Sequence, residues 1–115
     1  MAVLTLCNNV TISAPNVVAG SLQNTAALAG LPYNLFAKVA GVTSPARLAF
    51  EDSPDSVNWA PLFVLDYEPV AGGAPGPFAT TYQISGLVTT GSAPAVRINV
   101  YRATSSFVFS AQIFY

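Results

Sequence analysis

The sequence predicts an all-β protein that folds as a single antiparallel β-sandwich, of jelly-roll or immunoglobulin-like topology. Nine prolines and eight glycines are spread along 115 residues, which leaves little room for helices of ordinary length. In several segments apolar side chains alternate with polar ones at a period of two, the pattern of half-buried strands. The length suits one domain with one hydrophobic core.

Eight segments are strand candidates in chain order, and together they predict seven or eight strands. Early in the chain the weaker candidates are residues 2–7, 10–13 and 33–39, followed by the clearer alternation of residues 46–51. Residues 59–65 carry Pro61, which confines that strand to a sheet edge or a bulge. The clearest alternation follows in residues 81–86, 96–101 and 107–115. We expect the last two segments to pair as a hairpin across residues 103–106.

Two segments do not fit a strand pattern. Residues 21–31 could form the one helix, because Ser21 is a suitable N-cap and Leu22, Ala26 and Ala29 would share one face. Residues 70–78 contain three glycines and two prolines, which predicts a loop that projects from the sandwich.

The composition argues against an enzyme and against cofactors. The chain has no histidine and one cysteine, Cys7, so it lacks the commonest catalytic base and any Cys/His zinc set. Without a base to deprotonate it, Cys7 is expected to pack in the core. Four basic and five acidic residues provide no electrostatic footprint for nucleic acid. The N-terminus lacks the pattern of an export signal, and no apolar run is long enough to cross a membrane.

The acidic residues are the only group that could assemble carboxylate chemistry. They all lie within residues 51–68: Glu51, Asp52, Asp55, Asp66 and Glu68. An EF-hand loop is excluded because Pro54, Ser56 and Val57 stand where ligands and a glycine are required. A calcium site built from two loops and a glycosidase-type acid pair remain open, and we expect a solvated turn and strand end.

Residues 50–62 are the most distinctive part of the chain. Ser53, Asp55 and Trp59 resemble the S-x-D-x-x-x-W turn of small β-sandwich modules in structural proteins of tailed bacteriophages, and residues 96–115 are similar to the last hairpin of those modules. The resemblance implies a non-enzymatic virion protein made in the host cytoplasm, a capsid decoration or cement protein. It also implies a homotrimer on a local threefold axis, with a major capsid protein as partner.

Charge composition agrees with an adhesive role. Only 8% of the residues are charged, against about 25% in ordinary soluble domains, so we expect much of the surface to be covered by copies or partners. The expected contact elements are the apolar N-terminal segment and the Gly/Pro loop. Their residues are Met1, Ala2, Val3, Leu4, Val70, Ala71, Gly72, Gly73, Ala74, Pro75, Gly76, Pro77 and Phe78.

A carbohydrate-binding module is the alternative function. Aromatic side chains exposed on a β-sandwich can stack on sugar rings. The candidates for such a platform are Trp59, Tyr67, Tyr82 and Tyr101. The same four residues could instead belong to an aromatic core.

Overall fold

The computed structural model describes residues 2–68, 78–84 and 86–115. Within them the chain forms eight strands and one 3-10 turn, η1. The strands are β1 (Val3–Ile12), β2 (Val17–Asn24), β3 (Asn34–Ala40), β4 (Ala46–Ser53), β5 (Ala60–Tyr67), β6 (Phe78–Gln83), β7 (Ala95–Ala103) and β8 (Phe107–Phe114), and η1 is Ala26–Leu28. No helix in these residues is long and apolar enough to cross a membrane.

The strands form two antiparallel four-stranded sheets, which confirms the predicted sandwich. Sheet A has the order β1-β8-β3-β6 and sheet B the order β2-β7-β4-β5. The first strand therefore pairs with the last, the second with the seventh, the third with the sixth and the fourth with the fifth. This nested pairing is the connectivity of a jelly roll.

The core lies between the two sheets and follows from the period-two patterns. In β8 the inward residues Phe107, Phe109, Ala111 and Ile113 are all buried, and in β7 Val96, Ile98 and Val100 are fully buried. Both strands are central in their sheets. Because successive side chains point to opposite faces, the alternation seen in the sequence identifies the inner faces of the two central strands.

β1 is continuous where the sequence predicted two short strands. Asn8 and Asn9, which separate the two predicted segments, lie where the pairing with β8 shifts register between Cys7 and Val10. Asn9 adopts a positive φ of 50°, a conformation that asparagine tolerates better than most residues. The polar pair therefore forms a bulge within one strand.

The helix considered for residues 21–31 does not form. β2 continues to Asn24, and only the single turn η1 follows, with Leu28 as its buried side chain. β2 is irregular, since its pairing with β7 shifts register between Ala19 and Gln23. Gly20 has a φ of +73°, and a Cβ there would lie 2.1 Å from the Leu6 carbonyl oxygen. This irregularity hides the period-two signal.

The predicted hairpin between the last two strands is wrong. β7 pairs with β2 and β4, whereas β8 pairs with β1 and β3, so the connection passes from sheet B to sheet A. Hydroxyl groups hold it to the β3–β4 loop: Ser44 Oγ lies 2.6 Å from Ser105 Oγ, and Thr104 Oγ1 donates to Ser44 Oγ at 2.7 Å. Short connections between adjacent elements are compatible with either arrangement.

Candidate functional site

The five carboxylates do not converge on one site. Glu51 and Asp52 lie in β4 and are buried, at 3% and 7% exposure, which corrects the expectation of a solvated strand end. Asp66 lies in the exposed ion pair with Arg47, its Oδ1 2.7 Å from the guanidinium Nε. Among the residues that the structure describes, no three acidic, cysteine or histidine side chains are grouped to hold a metal ion.

Asp52 is a structural carboxylate. Its Oδ2 accepts a hydrogen bond from the Val88 amide at 2.8 Å, while Thr25 Oγ1 donates to the Val88 carbonyl at 2.7 Å. The Tyr33 hydroxyl accepts the amide of Leu87 at 3.0 Å. A buried carboxylate needs hydrogen-bond donors, and the Val88 amide supplies one. Asp52 therefore anchors the connection between β6 and β7 to β4.

Asp55 organises the turn between β4 and β5. Its Oδ1 accepts the backbone amides of Val57 and Asn58 at 2.9 and 2.8 Å and the Ser53 hydroxyl at 2.9 Å. The hydrogen bonds from Asn58 and Val57 hold the pKa of the Asp55 carboxyl well below its ordinary value. The predicted acidic turn is therefore an Asx-type turn, and it is also held to the β6–β7 connection, where Ser56 Oγ donates to the Ala93 carbonyl at 2.7 Å.

Replacing Asp55 by Ala should destabilise the fold at neutral pH and much less in acid. The folded-state pKa is lowered, so the stabilisation is fully present above the unfolded pKa of about 4 and is lost progressively as the pH falls from there towards the folded-state pKa. Urea unfolding of wild type and Asp55→Ala from neutral pH into acid measures the difference between their free energies of unfolding. The titration of the other carboxylates is common to both proteins and cancels in this difference. Asp55→Asn keeps one acceptor and is the matched control. If the free energies of unfolding of wild type and Asp55→Ala differ more in acid than at neutral pH, the Asp55 carboxylate does not stabilise the turn in this way.

The aromatic residues proposed for sugar stacking do not share a surface. Tyr67 and Tyr82 face the space between the sheets, where Tyr67 packs edge-on against Phe109 at 6.3 Å and Tyr82 lies 5.3 Å from Phe63. Burial raises the pKa of the Tyr67 phenol above its ordinary value. Trp59 and Tyr101 lie on the outside instead, so the four candidates do not form one platform, and Tyr67 and Tyr82 belong to the aromatic core that was the alternative for them.

Trp59 and Tyr101 belong instead to a polar cluster on the outer face of sheet B. Arg97 places its guanidinium 4.2 Å from the centre of the Trp59 ring and donates from Nε to Glu51 Oε1 at 2.8 Å. The Tyr101 hydroxyl donates to the other oxygen of Glu51, and this hydrogen bond raises the pKa of Tyr101. These contacts tie β4, β7 and the residue before β5 together.

Cys7 is a core residue, as predicted. It is 4% exposed, and burial raises the pKa of its thiol to about 11. The thiolate is the nucleophilic form of cysteine, and burial disfavours that form of Cys7 at neutral pH.

The outer face of sheet A has a different character, and we call it the A face. The strand registers arrange it in rows across β1, β8, β3 and β6. Its residues are Val3, Thr5, Thr11, Asn34, Phe36, Lys38, Ala40, Ala79, Thr81, Gln83, Val108, Ser110, Gln112 and Phe114. Phe36 and Phe114 pack edge-to-face at 6.5 Å. Apart from Lys38, the face presents amides, hydroxyls and apolar side chains, of which Val3 and Ala79 are exposed and Phe36 and Phe114 half-buried.

Charge is distributed very unequally between the two sheets. Lys38 is the single charged residue in the four strands of sheet A. The strands of sheet B carry Arg47, Glu51, Asp52, Asp66, Arg97 and Arg102. Six of the nine charged residues of the chain therefore lie in the strands of sheet B. Composition alone does not reveal this distribution.

Only some of the contact residues predicted from the sequence lie on the A face. Val3 lies on the A face and is 46% exposed. The N-terminal segment needs no partner for its order, because Ala2 exchanges backbone hydrogen bonds with Tyr115 at 2.6 and 2.9 Å and Leu4 pairs with Ile113. Phe78 begins β6. Met1, Val70 and residues 71–77 lie outside the described residues.

Two shallow clefts open near the ends of β3 and β6. One, of about 500 Å³, is lined by residues 31–34 together with Gln83 and Ile84. The other, of about 340 Å³, lies between the edges of β5 and β6 and is lined by Leu62, Phe63, Tyr82, Gln83 and Ile84. Among the described residues, neither cleft is lined by a charged side chain.

Comparison of the chain with protein-family models, curated proteins and solved structures finds no match.

Proposed function

We propose that this protein is a non-enzymatic structural subunit of a virion, a capsid decoration or cement protein that adheres to its neighbours through the A face. The observation that carries the proposal is the concentration of charge in sheet B, which leaves the A face with Lys38 as its only charged residue. Charged residues are depleted at the centres of protein interfaces. Jelly rolls occur in viral capsid proteins among other classes, an analogy of fold alone.

The size of the A face bears on how such a subunit would attach. Four strands spaced about 4.8 Å apart and about seven residues long cover roughly 400 Å². A standard interface buries about 800 Å² of accessible surface on each partner, a measure that exceeds the flat area of the same patch, so one copy of this face offers at most a standard interface. Linking three copies makes the later contacts intramolecular and raises the overall avidity. This agrees with a homotrimer seated on several major capsid proteins.

Attachment should depend weakly on salt and strongly on any charge placed in the A face. Gln112 lies on the face between Thr5 and Phe36, so Gln112→Glu would bury a carboxylate on binding, with Lys38 on the adjacent strand as the one nearby cation. We expect it to weaken attachment at least about tenfold, since such burial costs more than about 1.4 kcal/mol. The matched control is Gln23→Glu on β2 in the opposite sheet, which should bind like wild type.

The measurement uses capsids of the virus that encodes this chain, purified without it, and quantifies bound protein by co-sedimentation at low and high salt. Deleting residues 71–76 tests the predicted loop contact in the same assay and should also reduce binding. Equal binding of both glutamate variants, or loss of wild-type binding as salt rises, would contradict the proposal. So would virions that lack the protein altogether.

A further inference from the structure

The four edge strands of the sandwich differ in how they are protected against pairing with another chain. Exposed strand edges present unpaired amides and carbonyls, and proteins block them with bulges, proline, charge or an irregular backbone. β1 has two register shifts and the positive φ of Asn9. β2 has a register shift next to Gly20. β5 carries Pro61, Asp66 and a register shift against β4.

β6 carries none of these devices. It pairs with β3 without interruption over six residues, from Asn34 opposite Gln83 to Val39 opposite Phe78. Its sequence, FATTYQ, contains no charge and no proline. Ala79, Thr80, Thr81 and Gln83 are exposed, and no strand of the described residues pairs with its outer edge. β6 is thus regular, uncharged and rich in the β-branched threonine that strands favour.

We propose that the outer edge of β6 pairs with β6 of a second copy of this chain. The pairing is antiparallel about a twofold axis and joins two copies of sheet A into one eight-stranded sheet. A second copy fits this edge because a twofold contact places the same residues opposite each other, and like charges opposite each other would destabilise the pair. An uncharged edge avoids this penalty, so β6 is self-complementary.

This contact does not depend on the proposed virion role. It uses the outer edge of β6, whereas attachment to a capsid would use the A face. A threefold assembly can carry twofold contacts as well, since closed oligomers of D3 symmetry contain both. The prediction for the free protein is a concentration-dependent doubling of the mass of its smallest unit. Backbone pairing along six residues buries a small area, so we expect the doubling between about 10 µM and 1 mM.

Sedimentation velocity over this concentration range tests the pairing. Thr81→Lys places a charge on the edge and should abolish the doubling. Thr11→Lys, an exposed threonine on the opposite edge strand β1, should leave it intact. Wild type that does not double its mass at about 1 mM, or equal effects of the two lysine variants, would overturn the proposal.

A cysteine scan of residues 79–82 identifies the pairing independently. Opposite residues of an antiparallel pair point to the same face, so the residue on the twofold axis lies opposite itself. One position should form an intermolecular disulfide much faster than its neighbours, while buried Cys7 stays unreactive. Uniform cross-linking at all four positions, or none at any, would contradict the geometry.

Amide hydrogen exchange distinguishes pairing with a second copy from pairing of the β6 edge with other residues of the same chain. The outward-facing β6 amides of wild type should be protected at high concentration and exchange rapidly at low concentration, and in Thr81→Lys they should exchange rapidly at both. Protection that does not change with concentration would show an intramolecular partner and overturn the proposal.

Discussion

Replacing Phe109 by Ala should lower the free energy of unfolding by about 3–5 kcal/mol, the range measured for truncating large buried aromatic side chains. Phe109 is fully buried on the central strand β8. It lies opposite Val10 of β1 and Val39 of β3 and packs edge-on against Tyr67 of sheet B. The cavity would therefore open between both sheets, where neighbouring strands cannot collapse into it.

Phe114→Ala is the matched control, because Phe114 lies on the same strand but is half-buried on the A face. We expect it to cost less than half as much, and to affect attachment more than stability. Urea unfolding followed by tryptophan fluorescence measures both variants, with Trp59 as the single probe. A loss below about 1 kcal/mol for Phe109→Ala would place its side chain outside the core.

The sequence was sufficient to predict the sandwich and the inner faces of its central strands. β7 and β8 show regular alternation because each is paired on both sides and buried on its inner face. Pro61 was correctly placed on an edge strand, since proline cannot donate to a second neighbour. These features depend on local pattern and on backbone chemistry, which a single sequence displays directly.

Features that depend on distant residues could not be predicted in this way. β2 was missed because Gly20 and the register shift beside it interrupt the period-two pattern. The β7–β8 hairpin was wrong because a short connection does not show whether it stays in one sheet. Glu51 and Asp52 were expected in solvent because their donors lie 36 or more positions along the chain.

The candidate site shows the same division. The low charge of the chain was visible at once, but its concentration in sheet B required knowing which strands share a sheet. The side chains of Tyr67 and Tyr82 point between the sheets, whereas those of Trp59 and Tyr101 lie on the outer face of sheet B. The sequence did not show on which side of its sheet each of them lies. A jelly roll pairs strands that are far apart in sequence, so the composition of a face cannot be read from neighbouring residues.

Replacing Arg97 by Met should destabilise the fold by about 3–5 kcal/mol, the cost of breaking a buried ion pair by removing one partner. The Glu51 side chain is 4% exposed and Arg97 is 23% exposed, so solvent cannot replace the lost guanidinium. The Tyr101 hydroxyl would remain as a donor to the Glu51 carboxylate. The Trp59 ring would also lose the cation above its face.

The double variant Arg97→Met, Glu51→Gln tests whether this cost arises from the stranded carboxylate. It removes both charges while keeping the packing volume and a partner for Tyr101, and charge-free replacements of buried pairs are often close to neutral. We expect it to recover most of the stability lost in Arg97→Met, as measured by urea unfolding in a double-mutant cycle. If the two substitutions are additive, the cost of Arg97→Met does not arise from the stranded Glu51 carboxylate, and this account of the cluster is wrong.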